Sequence, residues 1–490
     1  MLEKSKLAEK RPSAIGLLGG GVIGGGWAAR FVLNGIDVRL YDPAPNAVES
    51  VQKVLANARR AFRKLTMVPL PPEGALTVVE SVADAVRGVD LVQESAPERL
   101  ELKQQLLAAA GRTAAPRTLI CSSTSGLRPS LLQAEMDNPE CFLVAHPFQP
   151  VYMLPLVELC AGERTLPEAL EQAAAIYRAI GMHPLVVRKE VDGFIANRLQ
   201  DAISREALWL VHDDLATLEE IDDAVRYSWA LRRAAIGSYR MANGGAGMRQ
   251  GIEQWAFKWP WSRLTDKPEM GSGFLDKVAA QADALAKADP LPVSVEHKRD
   301  DLLVALLQGL RSQGYGPGET LARWEQALRA RAPVPAQESG PLRTLREIPS
   351  NWIDGNGHAA ESTYLQLCSD ATGTVGRYIR ANGADLENGG AYYTVETHLS
   401  HLGELHAGDR VEVFTQVLGA DDKRLHLFHV IRREGDDNPA AMGEQMLIHV
   451  DANRRSAPVQ GQMRERLLEL ARLHARLPRP DRAGASIGTR

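Results

Sequence analysis

The segment Gly19-Gly20-Gly21-Val22-Ile23-Gly24 places a G-x-G-x-x-G between the apolar run Ala14-Ile15-Gly16-Leu17-Leu18 and a helical pattern from Trp27 to Leu33 that ends near Gly35. A strand turning this tightly into a helix admits few folds, chiefly the βαβ unit of a parallel sheet. Gly19 allows the sharp turn, Gly21 lets backbone approach a pyrophosphate, and Gly24 lets helix and strand pack closely. Free N–H groups at the helix start then face the phosphates, so Gly19, Gly20, Gly21, Val22, Ile23 and Gly24 form the expected cofactor loop. The next strand, Val38-Arg39-Leu40-Tyr41, delivers Asp42. A carboxylate there accepts hydrogen bonds from a ribose and repels a 2′-phosphate, which favours NAD over NADP.

The rest of the chain must hold more than this domain. At 490 residues it has room for about three domains of roughly 150 residues each. A net charge of −4 argues against nucleic acid or an anionic membrane as partner. Cys121, Cys141, Cys160 and Cys368 have no C-x-x-C spacing, so neither a disulfide framework nor a metal site is expected. There is no apolar run of membrane-spanning length, and the polar start Met1-Leu2-Glu3-Lys4-Ser5-Lys6 lacks a signal-peptide core, so the expected compartment is the cytoplasm.

Patterning predicts an NAD-binding α/β domain over 1–190, in which Leu91–Glu94, Leu119–Ser122 and Phe142–Ala145 are buried strands of a parallel sheet. A helical substrate or dimerisation domain follows over 191–330, with helices over Asn197–Asp213 and Asp301–Leu310, and then a proline-punctuated linker over 331–341. Alternation over Tyr392–Leu399, Arg410–Leu418, Leu425–Arg432 and Gln445–Val450 predicts a half-buried antiparallel sheet in a domain spanning 342–455. Residues 456–490 are expected to form a helix and a tail.

His146 and Glu158, downstream of the dinucleotide loop, are candidates for a base and its orienting carboxylate. Oxidising a secondary alcohol removes a hydroxyl proton while hydride leaves the carbon, and histidine titrates in the range such a base needs. A structural histidine in a buried strand end is the competing reading.

Five motifs in order resemble the 3-hydroxyacyl-CoA dehydrogenase family: the glycine loop, Glu94 with Pro97–Lys103, Ser123-Thr124-Ser125, His146 with Glu158, and Asp192–Arg198. The resemblance covers residues 12 to 325. It implies a Rossmann domain with an all-α C-terminal domain, His146 as proton carrier oriented by Glu158, Ser125 and Asn197 at the reacting oxygen, and Glu98 and Lys103 along NAD. His146-Pro147-Phe148-Gln149-Pro150 departs from the His-Phe-Phe-Asn-Pro common in acyl-CoA members and is more similar to the branch acting on small free hydroxy acids.

Three tryptophans in seven positions, Trp255, Trp259 and Trp261, suit a cage for a quaternary ammonium, with core or dimer packing as the alternative. Arg232, Arg233 and Arg249 are candidates for a substrate carboxylate, or else solvated surface cations. Together these features resemble the branch of the family that oxidises L-carnitine.

From about 342 to 452 the chain resembles hot-dog thioesterases of the 4-hydroxybenzoyl-CoA type, carried by Trp352-Ile353-Asp354-Gly355-Asn356-Gly357-His358, a helix over Ala359–Ile379 and the four strands. This implies an α+β hot-dog domain in which Asp354 acts on a thioester, with Gly357 near an oxyanion-stabilising helix start. An ordinary turn or cap aspartate is the competing reading. The fusion implies L-carnitine oxidation followed, after a separate cleavage step, by betainyl-CoA hydrolysis in a homodimer or higher homo-oligomer. The alternatives are a 3-hydroxyacyl-CoA dehydrogenase joined to a general acyl-CoA thioesterase, and a non-catalytic NAD-binding scaffold.

Overall fold

The computed structural model describes residues 11–66, 68–236, 294–331, 340–349, 352–380, 390–451 and 453–485, with positions 273, 276 and 280 between. It divides into two compact units: Met1–Ala61 with Pro72–Trp324, and Phe62–Pro71 with Glu325–Arg490.

The first unit opens with β1 (Ala14–Leu18), α1 (Val22–Leu33), β2 (Asp37–Tyr41), α2 (Ala47–Leu65), β3 (Leu76–Val78), α3 (Val82–Val86) and β4 (Leu91–Glu94). Next come α4 (Leu100–Thr113), β5 (Leu119–Ser122), α5 (Pro129–Leu132), β6 (Phe142–Pro147), β7 (Leu156–Ala161), α6 (Pro167–Ala179) and β8 (His183–Val187). The strands form one sheet in the order β3-β2-β1-β4-β5-β6-β7-β8. Its pairings are parallel except β6 with β7, which run antiparallel. Order 3-2-1-4-5-6 is that of a doubly wound dinucleotide fold. Leu18, Val92, Ile120, Phe142, Val144 and Cys160 build a core against the sheet, as near-continuous apolar runs buried on both faces require.

Helices alone follow among the described residues: α7 (Ala196–His212), α8 (Leu218–Arg226), α9 (Trp229–Ile236), α10 (Val295–Ser312) and α11 (Pro317–Arg331). None of the described helices is long and apolar enough to cross a membrane.

In the second unit β9 (Leu342–Glu347) precedes α12 (Glu361–Ile379), β10 (Ala391–His401), β11 (Arg410–Ala420), β12 (Arg424–Arg433), β13 (Pro439–Val450) and α13 (Gly461–His474). The sheet order is β10-β13-β12-β11-β9, antiparallel throughout. Tyr364, Leu367, Cys368, Ala371, Val375 and Tyr378 recur at helical spacing and are buried, so one stripe of α12 lies against the sheet. Met463, Leu467 and Leu470 of α13 close the same core. Patterning located four strands here and passed over β9. Its buried members are Leu342 and Thr344, and Thr344 Oγ1 is 2.7 Å from Thr374 Oγ1. A polar inward residue hides the alternation.

Candidate active sites

Backbone geometry at the glycine loop explains its composition. Gly19 has φ +105°, and a Cβ on Gly24 would stand 1.9 Å from the Gly19 carbonyl oxygen, so only glycine lets α1 start there. A Cβ on Gly21 would meet nothing within 4 Å, leaving its backbone open to an approaching group. The first turn of α1 carries no acidic residue, which keeps its positive end uncompensated for phosphate. Asp42 is positioned by Gly20 N–H at 2.6 Å and Ala44 N–H at 2.7 Å, one to each carboxylate oxygen. Each oxygen retains a lone pair for a ribose hydroxyl. These residues fit a dinucleotide.

His146 and Glu158, twelve positions apart in sequence, are direct partners in the β6–β7 register. The antiparallel return of β7 brings them together: His146 Nδ1–H donates to Glu158 Oε2 at 2.9 Å, with both residues buried. The other carboxylate oxygen accepts Ile195 N–H at 3.1 Å and Ala196 N–H at 3.0 Å, at the start of α7. Glu158 is thus held by the helix that carries Asn197, and Nε2 of the imidazole is left as the basic atom. Phe148 stands edge-on to the His146 ring with centroids 4.7 Å apart, and Phe194 lies 5.6 Å away on a left-handed backbone, φ +50°. Sequence reasoning quoted both phenylalanines inside their motifs but gave them no role; a left-handed non-glycine residue has no signature in composition.

Ser125 and Asn197 meet through the backbone, Asn197 Nδ2 donating to the Ser125 carbonyl at 2.9 Å. Glu98 organises the loop after β5, accepting from Thr124 Oγ1 at 2.5 Å, Ser125 N–H at 2.9 Å and Gly126 N–H at 3.1 Å. Burial opposes charge on Glu98, but Thr124, Lys103 and these amides outweigh it and hold the carboxyl below its usual range. Lys103 is almost fully buried and directs its ammonium to Glu94 Oε1 at 2.8 Å, the Ala96 carbonyl at 2.9 Å and Glu98 Oε2 at 3.4 Å. It therefore holds Glu98 and the end of β4 rather than standing free.

Arg30 of α1 escaped sequence reasoning. It is buried, and its guanidinium donates to the carbonyls of Val151, Leu154, Ile180 and Gly181 at 2.9–3.3 Å. Burial lowers it to about 9, which leaves it charged at neutral pH. The cofactor helix is thereby fastened to the segment joining His146 to Glu158.

Arg232 belongs to α9, but its side chain lies outside the described residues, as do Arg249, Trp255, Trp259 and Trp261 altogether. Arg233 places its guanidinium 4.6 Å from the centre of the Trp229 ring.

In the second unit Asp354 is exposed in a turn ahead of α12. Its Oδ1 accepts Asn356 N–H at 2.8 Å and His358 N–H at 3.4 Å, while Asp354 N–H donates to the His358 carbonyl at 2.9 Å. The Asn356 amide, assisted by His358, holds the carboxyl below its usual range, so it is ionised at neutral pH and available as nucleophile or base. Gly357, with φ +86°, gives its N–H to the Asp354 carbonyl at 3.2 Å. It shapes the turn, and α12 begins further on, at Glu361. Among the described residues no His, Cys, Asp and Glu cluster could hold a metal ion.

Family models place the "3-hydroxyacyl-CoA dehydrogenase, NAD binding domain" on residues 14–191, its C-terminal domain on 193–270 and the "Thioesterase-like superfamily" on 348–467. An L-carnitine dehydrogenase/betainyl-CoA thioesterase of Rhizobium meliloti (strain 1021) is 43% identical over 485 residues, covering 96% of this chain and 98% of its own length. An L-carnitine dehydrogenase of Pseudomonas putida (KT2440) is 46% identical over 306 residues, 61% of this chain and 95% of that protein. The crystal structure of an NAD+-dependent 5-formyl-3-hydroxy-2-methylpyridine 4-carboxylic acid 5-dehydrogenase matches with a TM-score of 0.51 at 28% identity, covering 61% of this chain and 98% of that one.

Proposed function

Because the chain belongs to the family of fused L-carnitine dehydrogenase/betainyl-CoA thioesterases, we propose that it oxidises L-carnitine to 3-dehydrocarnitine with NAD and hydrolyses betainyl-CoA to glycine betaine and CoA. The observation that carries this reading is the joint presence, on a chain related to such fusions over 96% of its length, of the buried His146–Glu158 pair beside a dinucleotide loop and of the turn-held carboxylate Asp354.

In the first reaction NAD, when bound, supplies the hydride acceptor. His146 Nε2 takes the hydroxyl proton, Glu158 stabilises the resulting imidazolium through the Nδ1 bond, and Ser125 and Asn197 donate to the substrate oxygen. Arg232 and Arg249 would take the carboxylate, with Trp255, Trp259 and Trp261 around the trimethylammonium. In the second, Asp354 either attacks the thioester carbonyl, so that the C–S bond breaks and leaves an acyl anhydride that water then hydrolyses to glycine betaine and the free carboxylate, or draws a proton from a water that attacks the carbonyl directly; on both routes the CoA thiolate leaves and takes up a proton.

NADH formation with L-carnitine, compared with D-carnitine and 3-hydroxybutyryl-CoA, tests the first half. Stereoselective turnover of the free hydroxy acid is expected, and turnover of the CoA ester alone would return this half to acyl-CoA chemistry. Release of CoA thiol from betainyl-CoA tests the second. We further infer a cytoplasmic homodimer or higher homo-oligomer, supported by the pairing expected of both resembled families; light scattering giving the monomer mass of 53.5 kDa would refute it.

A further inference from the structure

A cavity of about 510 Å³ opens in the second unit beside the Asp354 turn, and none of the chemistry above uses it. Its walls include His358, Glu361, Tyr364, His401 and Glu404, and no lysine or arginine lines it. His358 belongs to both the cavity and the Asp354 turn, through the two backbone hydrogen bonds it exchanges with that aspartate. The Asp354 turn therefore meets the cavity through His358.

Two features decide what chemistry the cavity suits. The Tyr364 and His401 rings stand at 90° with centroids 4.8 Å apart, so they meet in a corner in which Tyr364 is buried and His401 is the exposed ring. Tyr364 O–H donates to the Gly403 carbonyl at 3.0 Å, which fixes that ring in place. The charged groups are the carboxylates Glu361 and Glu404, the latter 65% exposed and 3.7 Å from His358 Nε2. An aromatic corner beside two carboxylates attracts a positively charged group that needs no hydrogen-bond acceptor, as a quaternary ammonium does; the nearby Arg433 guanidinium is engaged by the Glu404 carbonyl. The same carboxylates would repel the phosphates of a nucleotide, which argues that this is not where the acidic part of a CoA thioester lies.

We propose that this cavity is the acyl subsite of the thioesterase unit and that it selects the trimethylammonium of the acyl group through Tyr364, His401, Glu361 and Glu404. The assignment rests on the reading of this unit as a thioesterase, and the test separates the two. The full-length protein is given betainyl-CoA and its uncharged carbon isostere, 3,3-dimethylbutanoyl-CoA, which has the same shape without the charge. The kcat/KM for the cationic ester is expected to exceed that for the neutral one by about tenfold or more, the scale of a desolvated cation–π contact. In Glu404→Gln and Glu361→Gln, isosteric changes at exposed side chains, that ratio is expected to fall at least about fivefold, chiefly by loss of the cationic ester.

Equal hydrolysis of both esters by the unaltered protein would overturn the subsite and leave the thioesterase reading standing. Equal loss on both esters in the variants would also overturn it, by placing the CoA arm in the cavity. Hydrolysis of neither ester would remove the thioesterase reading and the subsite with it.

Discussion

Glu158 does two things with its two oxygens: one receives the His146 imidazole and the other two backbone amides at the start of α7. Replacing it with glutamine keeps the shape but removes the charge that stabilises an imidazolium. Glu158→Gln is expected to lower kcat for L-carnitine oxidation about 10²-fold or more with little change in NAD affinity. Steady-state kinetics beside an NADH fluorescence titration would show this, and a kcat within threefold of the parent would refute the pairing as catalytic. The pair itself was legible in sequence, because histidine and glutamate carry the chemistry by type. The clamp around it was not. Phe148 and Phe194 are ordinary core residues by type, and only the left-handed turn at Phe194 places its ring by the imidazole. Arg30 reads as a surface cation on a helix until the four carbonyls it serves are seen.

Elements register what single residues cannot. The start of α1 depends on the missing Cβ of Gly24, since an alanine there would drive its methyl into the Gly19 carbonyl. Gly24→Ala is therefore expected to reshape the loop and weaken NAD at least about tenfold, read by NADH fluorescence titration; unchanged affinity would mean the loop does not hold the cofactor. In the second unit α12 meets the sheet across a polar seam, where His429 is buried between Thr415 Oγ1 at 2.9 Å and Gln445 Oε1 at 3.1 Å. Burial lowers this imidazole from 6.5 to about 4, with Gln445 opposing in part. The unfolded chain thus binds the proton first as pH falls. Stability is fully present above about 6.5 and is lost progressively down to about 4, by about 3 kcal/mol at most. Urea unfolding followed in this unit at about pH 7 and about pH 4.5 should show that slope, and His429→Gln should flatten it; identical slopes would contradict it. Pattern reading found α12 and four strands here because their apolar periods are regular. It missed β9, whose inward Thr344 is polar, and at β7 it read the residue pair without the reversed strand that makes the pair possible.

At the scale of the whole molecule, two chemistries share one chain. The division was legible because the apolar period changes from parallel-strand runs to helices and then to half-buried alternation, each dictating a different layer architecture. Each unit has its own core, the first built on β4, β5 and β6, the second on α12, α13 and their sheet. A chain with two separate cores should lose its activities one at a time. His146→Ala is expected to reduce NADH formation about 10²- to 10⁴-fold, the range for loss of a general base, while betainyl-CoA hydrolysis stays within about twofold. Asp354→Asn should do the reverse, because an amide can neither attack the thioester as a carboxylate nor take a proton from water. Both activities are measured on each full-length variant, so each serves as the folding control for the other. Retention of both activities in both variants would show that neither residue does the chemistry assigned to it. Joint loss in either one would show that the substitution disrupts the fold or that the two units act as one.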